Sequence, residues 1–271
     1  MKVSIQIVNY NSRECLKECL YSIGKYKPDR MDVEVIVINN DAEPITEFLK
    51  GSSGNLDLRV VEINRNVGFG RAHNAGFKKT TGEYLLLLNP DTRMILGTLS
   101  AMAESFFQNE SLGIVGPLLV DTQRRIQPGY CGKEKTPFSI MKAKLVEEKT
   151  EKEALEENGT ANVVDWVAGT AMMIRRRAFE EIGGFDENYF MYFEDVDLCL
   201  QARKKKYLVA INPRAKIFHA GGQSFSSQRD KKRYYYASQD YYIRKNFGAG
   251  MALMVKAFRT PHYLKNVYFK K

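Results

Sequence analysis

The sequence has no long apolar run, few cysteines and no leader-like segment, and each absence narrows its class. No stretch approaches 18 consecutive apolar residues, so no transmembrane helix is expected. The four cysteines, at positions 15, 19, 131 and 199, form neither a CxxC pair nor a zinc-binding spacing. They are typical of reduced thiols in a cytosolic protein. The N-terminus lacks the apolar core of a signal peptide, which also favours the cytoplasm.

The motifs of several enzyme classes are missing as well. There is no serine-hydrolase elbow, no Walker A loop and no HExxH zinc motif. Glycines 68, 70 and 76 follow the third predicted strand. A dinucleotide fingerprint follows the first strand, so a dinucleotide oxidoreductase is disfavoured. His73, one of only three histidines, lies within a predicted helix and is expected to be structural.

The net charge of +9 is concentrated at the C-terminus. Residues 229–271 contain 11 Lys/Arg and 2 Asp/Glu, whereas residues 1–228 contain 30 of each. This tail has helical spacing and many aromatic residues, and a basic amphipathic helix suits an anionic membrane surface. The alternative is a helix packed on the domain with a solvated charged face. No RNA-binding motif supports binding to nucleic acid.

The first 120 residues alternate β-branched strands with helical patterns. Strands are predicted at 3–8, 33–38, 58–63 and 84–88, and helices at 12–23, 69–79 and 97–107. Later strands are predicted at 163–174, 207–212 and 215–218, and helices at 175–182 and 196–203. This order predicts an α/β fold for residues 1–228, with a mostly parallel sheet flanked by helices. Residues 121–162 interrupt it as an excursion or lid, expected to be helical around 140–157.

Polar clusters follow three of the predicted strands. Asn9-Tyr10-Asn11 follows the first strand, Asn39-Asn40-Asp41 the second, and Asn89-Pro90-Asp91 the fourth. In open α/β sheets, ligands bind at the carboxyl ends of the strands, where these clusters would meet. Asparagine can donate to and accept from a nucleobase or ribose, although Asn and Asp also favour turns for structural reasons alone. We therefore predict one polar binding crevice.

Acidic and aromatic residues are concentrated in a second segment. Glu194, Asp195 and Asp197 fall in the first turn of a predicted helix, directly after the aromatic run 189–193. Acids at a helix N-terminus complement the macrodipole, which is a purely structural alternative. Apolar surroundings also raise a carboxylate pKa toward that of a general base, so a catalytic site is predicted here.

One histidine is a candidate metal ligand. His219 ends the last predicted strand, just before Gly221-Gly222, and could bind a cation together with Asp91. One acid and one histidine make a sparse ligand set, which suits a water-rich Mg²⁺ or Mn²⁺ completed by substrate phosphates. The alternative is a surface histidine without a ligand.

Seven short motifs occur in an order that resembles one family. They are Ile7-Val8-Asn9-Tyr10-Asn11, Asn66-Val67-Gly68-Phe69, Asn74-Ala75-Gly76, Leu87-Leu88-Asn89-Pro90-Asp91, Trp166-Val167-Ala168-Gly169, Gly183-Gly184-Phe185-Asp186-Glu187 and Phe193-Glu194-Asp195-Val196-Asp197. The ordered set is similar to the family 2 inverting glycosyltransferases of the GT-A fold. The rhamnosyltransferase-like branch is the nearest, and the resemblance covers about residues 1–225.

This resemblance implies a reaction and a set of roles. A sugar, with rhamnose as a candidate, would pass with inversion from a nucleotide-diphosphate donor to a hydroxyl of a glycan or lipid-linked acceptor. Asp91 and His219 would hold Mg²⁺ or Mn²⁺, and Asp195 would be the base. The acceptor-side residues implied are Glu194, Trp166, Gly169 and Asp186. The donor-binding residues implied are Asn9, Tyr10, Asn11, Asn39, Asn40, Asn66, Gly68, Arg71, Asn74, Asn89 and Pro90.

Two residues depart from the family pattern. Asn89 replaces the first acid of the frequent Asp-x-Asp metal motif, as is common in the rhamnosyl-like branch. Asn39 stands where many members have an aspartate that contacts the base. A second class therefore stays open, a catalytically weak module that binds nucleotide sugar and scaffolds a polysaccharide assembly. The enzyme itself would be cytoplasmic, with the tail holding it peripherally on the inner face of the cell membrane.

Overall fold

One central sheet organises the protein, and its computed structural model describes residues 1–51, 54–145, 161–221 and 227–264. The first half of the chain contributes six strands, which are β1 (Lys2–Asn9), β2 (Asp32–Asn39), β3 (Asp57–Glu62), β4 (Tyr84–Leu88), β5 (Thr92–Met94) and β6 (Leu112–Val120). Three helices connect them, α1 (Arg13–Tyr26), α2 (Phe69–Phe77) and α3 (Thr98–Gln108).

The second half of the chain adds shorter strands and more helices. Its strands are β7 (Cys131–Gly132), β8 (Asn162–Val164), β9 (Trp166–Val167), β10 (Ala171–Arg175) and β11 (Leu208–His219). Its helices are α4 (Pro137–Leu145), α5 (Arg176–Ile182), α6 (Glu194–Lys204), α7 (Gln228–Phe247) and α8 (Ala249–Leu264).

The sheet has the strand order β3-β2-β1-β4-β10-β6-β11-β5, with β8 added beside β11. The half built from β3, β2, β1 and β4 is parallel, and β6 is parallel to β11. β10 runs antiparallel to both of its neighbours, β4 and β6. The predicted α/β fold with a central sheet flanked by helices is confirmed, and the antiparallel β10 is a feature that the strand pattern did not indicate.

The leucine run of β4 shows why the sheet is covered on both faces. Successive side chains of a strand point to opposite faces. Leu86 and Leu88 accordingly lie in the core cluster beneath α1 and α3, whereas Leu85 and Leu87 lie in the cluster beneath α5 and α6. All four are fully buried, and burial of each leucine contributes about 1.5–3 kcal/mol. A continuous apolar run is therefore what this central position requires.

Four predicted elements differ from the structure. Residues 163–174 are not one strand but parts of β8, β9 and β10, because the chain bends at Asp165, whose N–H donates to the Gly132 carbonyl. Strands predicted at 207–212 and 215–218 form the single β11, with a register shift between Asn212 and Lys216. The helix predicted around 140–157 corresponds to α4 up to residue 145, and its remainder lies outside the described residues.

The tail helices α7 and α8 pack against the apolar cluster beneath α5 and α6. Tyr242, Ile243 and Val255 are buried in the same apolar cluster as α5 and α6. The Ser238 hydroxyl donates to the Met191 carbonyl at 2.7 Å, which joins α7 to the segment preceding α6. Within the described ranges no helix combines the length and apolarity needed to cross a membrane.

Candidate active site

The polar residues at the ends of β1 and β2 contact each other directly. Asn9 and Asn39 are partners in the parallel register, and the Asn9 amide donates to Asn39 Oδ1 at 2.9 Å. The Asn39 amide in turn donates to Glu62 Oε2 at 2.6 Å. Both asparagines are fully buried, and Asn9 Oδ1 has no hydrogen-bond partner. The predicted crevice thus begins with a buried polar pair that retains one free acceptor.

Asn40 connects the sheet edge to the loop before α2. Its amide donates to Asn66 Oδ1 at 3.0 Å, and its Oδ1 accepts from the Val67 N–H at 2.9 Å. The next residue, Gly68, has φ +91°, and a Cβ there would lie 2.5 Å from the Phe190 carbonyl oxygen. Only glycine permits this approach, which brings the segment before α6 against the crevice.

A small cavity of about 70 Å³ lies where these elements meet, and we call it the donor cavity because predicted donor-binding residues line it. Six of the residues predicted to bind the donor line it, namely Tyr10, Asn40, Asn66, Gly68, Asn89 and Pro90. Apolar side chains complete its wall, and these are Val8, Phe69, Phe190 and Met191. The three polar strand ends therefore do converge on one concave site, as the sequence predicted.

The other five predicted donor residues lie outside this cavity wall, and two of them are the buried pair Asn9 and Asn39. The Asn11 N–H donates to Asp41 Oδ2 at 3.0 Å. Arg71 forms an ion pair with Glu187 at 3.1 Å, and Asn74 donates to the Phe185 carbonyl and accepts from the Phe185 N–H. Arg71 and Asn74 therefore hold the segment before α6 against α2.

Asp91 and His219 are brought together by the pairing of β5 with β11. His219 is the register partner of Thr92, and its Nε2 lies 3.4 Å from Asp91 Oδ2. Gln127 Oε1 accepts from the His219 ring at Nδ1, at 2.7 Å, while the Gln127 amide donates to the His219 carbonyl at 2.8 Å. This double contact places a ring proton on Nδ1 and turns Nε2 toward the carboxylate.

This arrangement fits a divalent cation. Two acceptors that face each other at 3.4 Å need a proton or a cation between them. Asp91 is buried and its Oδ1 has no partner, which leaves a further oxygen available for a ligand. Within the described residues no group of three His, Cys, Asp or Glu forms a complete metal cage. The two side chains therefore suit a hard ion that takes its other ligands from water and substrate.

Asp195, at the start of α6, lies close to the cavity lined by Asn40, Asn66 and Asn89. Its Oδ2 accepts from the Gly169 N–H at 2.9 Å, and its Oδ1 accepts from the Val196 N–H at 2.8 Å. A Cβ on Gly169 would lie 3.1 Å from the Phe69 ring, which lines the cavity. One aromatic ring thus separates the contact between Gly169 and Asp195 from the cavity.

Burial changes the acidity of the Glu194–Asp195 pair. Burial raises the pKa of Asp195, and the backbone N–H groups of Gly169 and Val196 offset part of this rise. Glu194 is 6% exposed and its Oε2 has no partner. Burial and the Asp195 charge together raise the pKa of Glu194 well above its ordinary value. Both acids therefore hold protons more readily than exposed carboxylates do.

The other two predicted acceptor-side residues have structural contacts. Trp166 is buried, and its indole N–H donates to the Lys133 carbonyl at 3.0 Å. Asp186 accepts from the Tyr241 hydroxyl at 2.9 Å and from Lys245 at 2.7 Å. Burial alone would raise the pKa of Asp186, but these bonds and those from Asn188 lower it to about 2. Asp186 therefore anchors α7 as an ionised carboxylate.

Sequence reasoning did not assign roles to several residues at the site. Gln127 orients His219, but nothing in its sequence surroundings marks it. Tyr235 of α7 lies 5.3 Å from Phe193, ring to ring, and Tyr234 stacks on Phe190 at 4.7 Å. In the sequence, the aromatic run 189–193 was the only sign of this aromatic packing, because its partners Tyr234 and Tyr235 lie about 40 residues further along the chain.

His73, expected to be structural, is fully buried against Gln6, and burial lowers its pKa to about 3.

The fold is that of the GT-A glycosyltransferases. Solved structures with this fold include S. aureus TarS 1-349 in complex with UDP-GlcNAc, with a TM-score of 0.62 and 16% identity over 99% of this chain and 73% of that one. Another is the mannosyltransferase PcManGT from Pyrobaculum calidifontis with GDP-Man and Mn²⁺, with a TM-score of 0.62 and 15% identity over 96% of this chain and 75% of that one. The chain belongs to glycosyl transferase family 2, whose model matches residues 4–183.

Rhamnosyltransferases are among the relatives of this chain. It is 28% identical to the N-acetylglucosaminyl-diphospho-decaprenol L-rhamnosyltransferase of Mycobacterium tuberculosis, over 60% of this chain and 59% of the relative. It is 27% identical to rhamnosyltransferase WbbL of Escherichia coli K12, over 73% of this chain and 76% of the relative. The chain thus matches less than two thirds of the length of the mycobacterial enzyme.

Proposed function

We propose that this protein transfers a sugar from a nucleotide-diphosphate donor to a hydroxyl of a glycan or lipid-linked acceptor, with inversion. The observation that supports this most directly is the position of Asp195. Its carboxylate accepts from the N–H of Gly169, which lies against Phe69 in the wall of the donor cavity. A base near a polar crevice at the strand ends is the arrangement that such a transfer needs.

The proposed chemistry is a single in-line displacement. Asp195 accepts the proton of the acceptor hydroxyl as its oxygen forms a bond to the anomeric carbon. The bond from that carbon to the diphosphate oxygen breaks on the opposite face, and the nucleoside diphosphate leaves with the bonding electrons. One displacement inverts the anomeric centre. The buried surroundings of Asp195 suit this role because they raise its pKa toward a useful basicity.

Asp91 and His219 would hold Mg²⁺ or Mn²⁺ in this proposal. When bound, such an ion supplies Lewis-acid stabilisation of the diphosphate leaving group. Gln127 keeps Nε2 of His219 directed at the site. Asn89 adds no charge to this ligand set, so weaker metal binding than at an Asp-x-Asp site is expected.

The relatives support a narrower proposal for the substrates. Two of them are rhamnosyltransferases, and one carries a diphospho-decaprenol acceptor in its name. We therefore propose a nucleotide-activated rhamnose as donor and a lipid-linked glycan for surface polysaccharide as acceptor. Such an acceptor would place the enzyme in the cytoplasm, peripherally at the inner face of the cell membrane.

The test is a panel of nucleotide sugars, screened first for thermal stabilisation with and without Mn²⁺ and then for transfer to lipid-linked acceptors. Stabilisation by one donor and turnover that falls in the Asp91→Asn variant are expected. Asn89 in place of the first acid favours a second candidate, a catalytically weak scaffold that binds nucleotide sugar. Donor binding without turnover on any acceptor would support that candidate and contradict the transferase.

A further inference from the structure

A large cavity among the described residues lies apart from the donor cavity and shares Glu18 and Arg93 with the surroundings of Asp91. It has a volume of about 790 Å³ and is formed by α1, β5, the end of β6, the turn after it and β11. None of its lining residues lines the donor cavity. Its size falls within the range of small-molecule sites, roughly 300–1,000 Å³. We call it the α1 groove.

The α1 groove has an apolar floor and an apolar rim. Met94 and Val120 form part of the floor and are almost fully buried. Tyr21 stands at the rim with 69% of its surface exposed. Leu96, next in sequence to the lining residue Ile95, is 77% exposed. Exposed aromatic and aliphatic side chains beside a concave apolar surface are the features of an interaction site.

The charge in the groove is positive and largely uncompensated. Lys25, Arg124 and Lys216 line it, and none of them pairs with a carboxylate among the residues that the structure describes. The Lys25 ammonium lies 5.2 Å from the centre of the Tyr26 ring. Glu18, which also lines the groove, is already paired with Arg93. An occupant with a negative group and an apolar group would complement both features.

We propose that the α1 groove binds an anionic membrane phospholipid. Its phosphate would lie among Lys25, Arg124 and Lys216, and the first part of its acyl chain would lie against Tyr21 and Ile95. Each cation near an anionic lipid surface strengthens attachment, and tyrosine suits the interface between headgroups and chains. This inference does not depend on the sugar transferred, and it assigns membrane attachment to a surface other than the 229–271 tail.

The tail offers a competing surface, which makes the proposal testable. Leu253, Met254 and Phe258 of α8 are exposed, at 70%, 41% and 42%. Among the residues that the structure describes, Lys256 is the exposed cation between them, and Arg259 is 4% exposed and paired with Asp240 at 2.7 Å. The α1 groove combines exposed apolar groups with three unpaired cations, whereas this part of α8 does not.

The decisive experiment uses the full chain and short-chain lipids below their micelle concentration. Calorimetry with dihexanoyl phosphatidylglycerol should show one site, with much weaker binding of dihexanoyl phosphatidylcholine and of inorganic phosphate. The triple variant Lys25→Ala, Arg124→Ala and Lys216→Ala should weaken it roughly 100-fold. Tyr21→Ser should weaken it without any change in net charge, which separates lipid binding from general electrostatic attraction.

Two matched variants serve as controls. Replacement of Lys78, Lys79 and Lys205 by alanine removes three exposed cations elsewhere and should leave lipid binding unchanged. The double variant Leu253→Ser and Phe258→Ser tests α8 and should also retain it. The proposal would be overturned in favour of the tail if the α8 variant lost lipid binding while the triple cation variant and Tyr21→Ser both retained it. Equal binding of inorganic phosphate would overturn it in favour of a simple anion site.

Discussion

The backbone N–H of Gly169 donates a 2.9 Å hydrogen bond to Oδ2 of Asp195. The two residues are 26 positions apart, and they meet because β9 and the start of α6 pack against each other. The bond fixes the carboxylate at Gly169, which lies against the Phe69 ring in the wall of the donor cavity. Two motifs that are separate in sequence thus form one unit in the fold, and its chemistry can be tested by substitution.

Asp195→Asn should abolish most transfer while the fold is retained. The amide keeps the shape of the carboxylate, and its single oxygen can still accept from Gly169 although Val196 then loses its acceptor. It cannot take a proton from the acceptor hydroxyl. Loss of a general base typically costs 10²–10⁴-fold in rate. Transfer should be measured at saturating donor, together with thermal stabilisation by the donor, which should persist. Asp57→Asn, at an exposed ion pair, is the matched control. Unchanged turnover in Asp195→Asn would show that another group is the base.

The pH dependence of transfer should reflect the raised pKa of Asp195. A base works only when ionised, so activity should fall as pH decreases through a value above the usual aspartate range of about 3.8. The charge of Lys135 is one of the factors that lower this pKa. Lys135→Met should therefore move the acidic limb of the pH–rate profile upward, whereas Lys133→Met should not. If the acidic limb does not move in Lys135→Met, a group other than Asp195 determines the pH–rate profile.

Gly68→Ala should destabilise the protein more than Gly97→Ala does. Both glycines have positive φ, +91° and +84°, so both substitutions incur backbone strain. Only the Cβ at position 68 would meet a backbone atom, the Phe190 oxygen at 2.5 Å, whereas the one at 97 meets open space. We expect about 1–3 kcal/mol of additional loss in the free energy of unfolding for Gly68→Ala, together with weaker donor binding. Urea denaturation measures the first, and equal losses for the two variants would contradict the close packing at Phe190.

The sequence was sufficient for the parallel half of the sheet and for the convergence of its polar ends. Leu85 to Leu88 and Pro90 specify a buried strand and its end, and parallel strands bring Asn9, Asn39 and Asp91 to one edge. These are consequences of local periodicity and of a general rule about strand ends. Short motifs with fixed order then identified the family.

The antiparallel β10 and the role of the tail could not be predicted in the same way. The direction of β10 depends on a turn at Gly169, and no local pattern of residues 163–174 distinguishes it from a parallel strand. The contacts of Arg71 and Asn74 with residues 185–187 join positions more than 110 apart in sequence. Such long-range contacts, and the aromatic packing of Tyr234 on Phe190, are decided by tertiary packing alone.

Lys245→Met should loosen the attachment of α7 to the segment before α6. Lys245 lies 2.7 Å from Asp186 and 2.6 Å from Asp197, whose side chain is 3% exposed. Without the ammonium, two partly buried carboxylates lose their cation. We expect this loss to lower the free energy of unfolding by about 1–3 kcal/mol, a range limited by the 28% exposure of Lys245. Turnover should also decrease, because Asp197 and Asp195 share the first turn of α6. Arg233→Met removes an exposed pair of α7 and should change stability by less than about 0.5 kcal/mol. Equal effects in the two variants would contradict a structural role for Lys245.

Glu34 should contribute stability that disappears in acid. It is fully buried in β2 and accepts from the Ser4 hydroxyl at 2.6 Å and from the Thr81 N–H at 2.5 Å. Burial alone would raise its pKa, but these bonds and the charge of Lys2 lower it from 4.5 to about 2. The unfolded chain therefore binds a proton at higher pH than the folded one does.

The resulting stabilisation, about 3 kcal/mol, is present above pH 4.5 and is lost as pH falls toward 2. Glu34→Gln should remove it at pH 7 and flatten the dependence of unfolding free energy on pH between 4.5 and 2. Glu104→Gln, at a pair that is half exposed, should leave that dependence almost unchanged. Urea denaturation at a series of pH values measures both variants. A Glu34→Gln protein that still loses stability as steeply as the parent would show that other carboxylates carry the acid sensitivity.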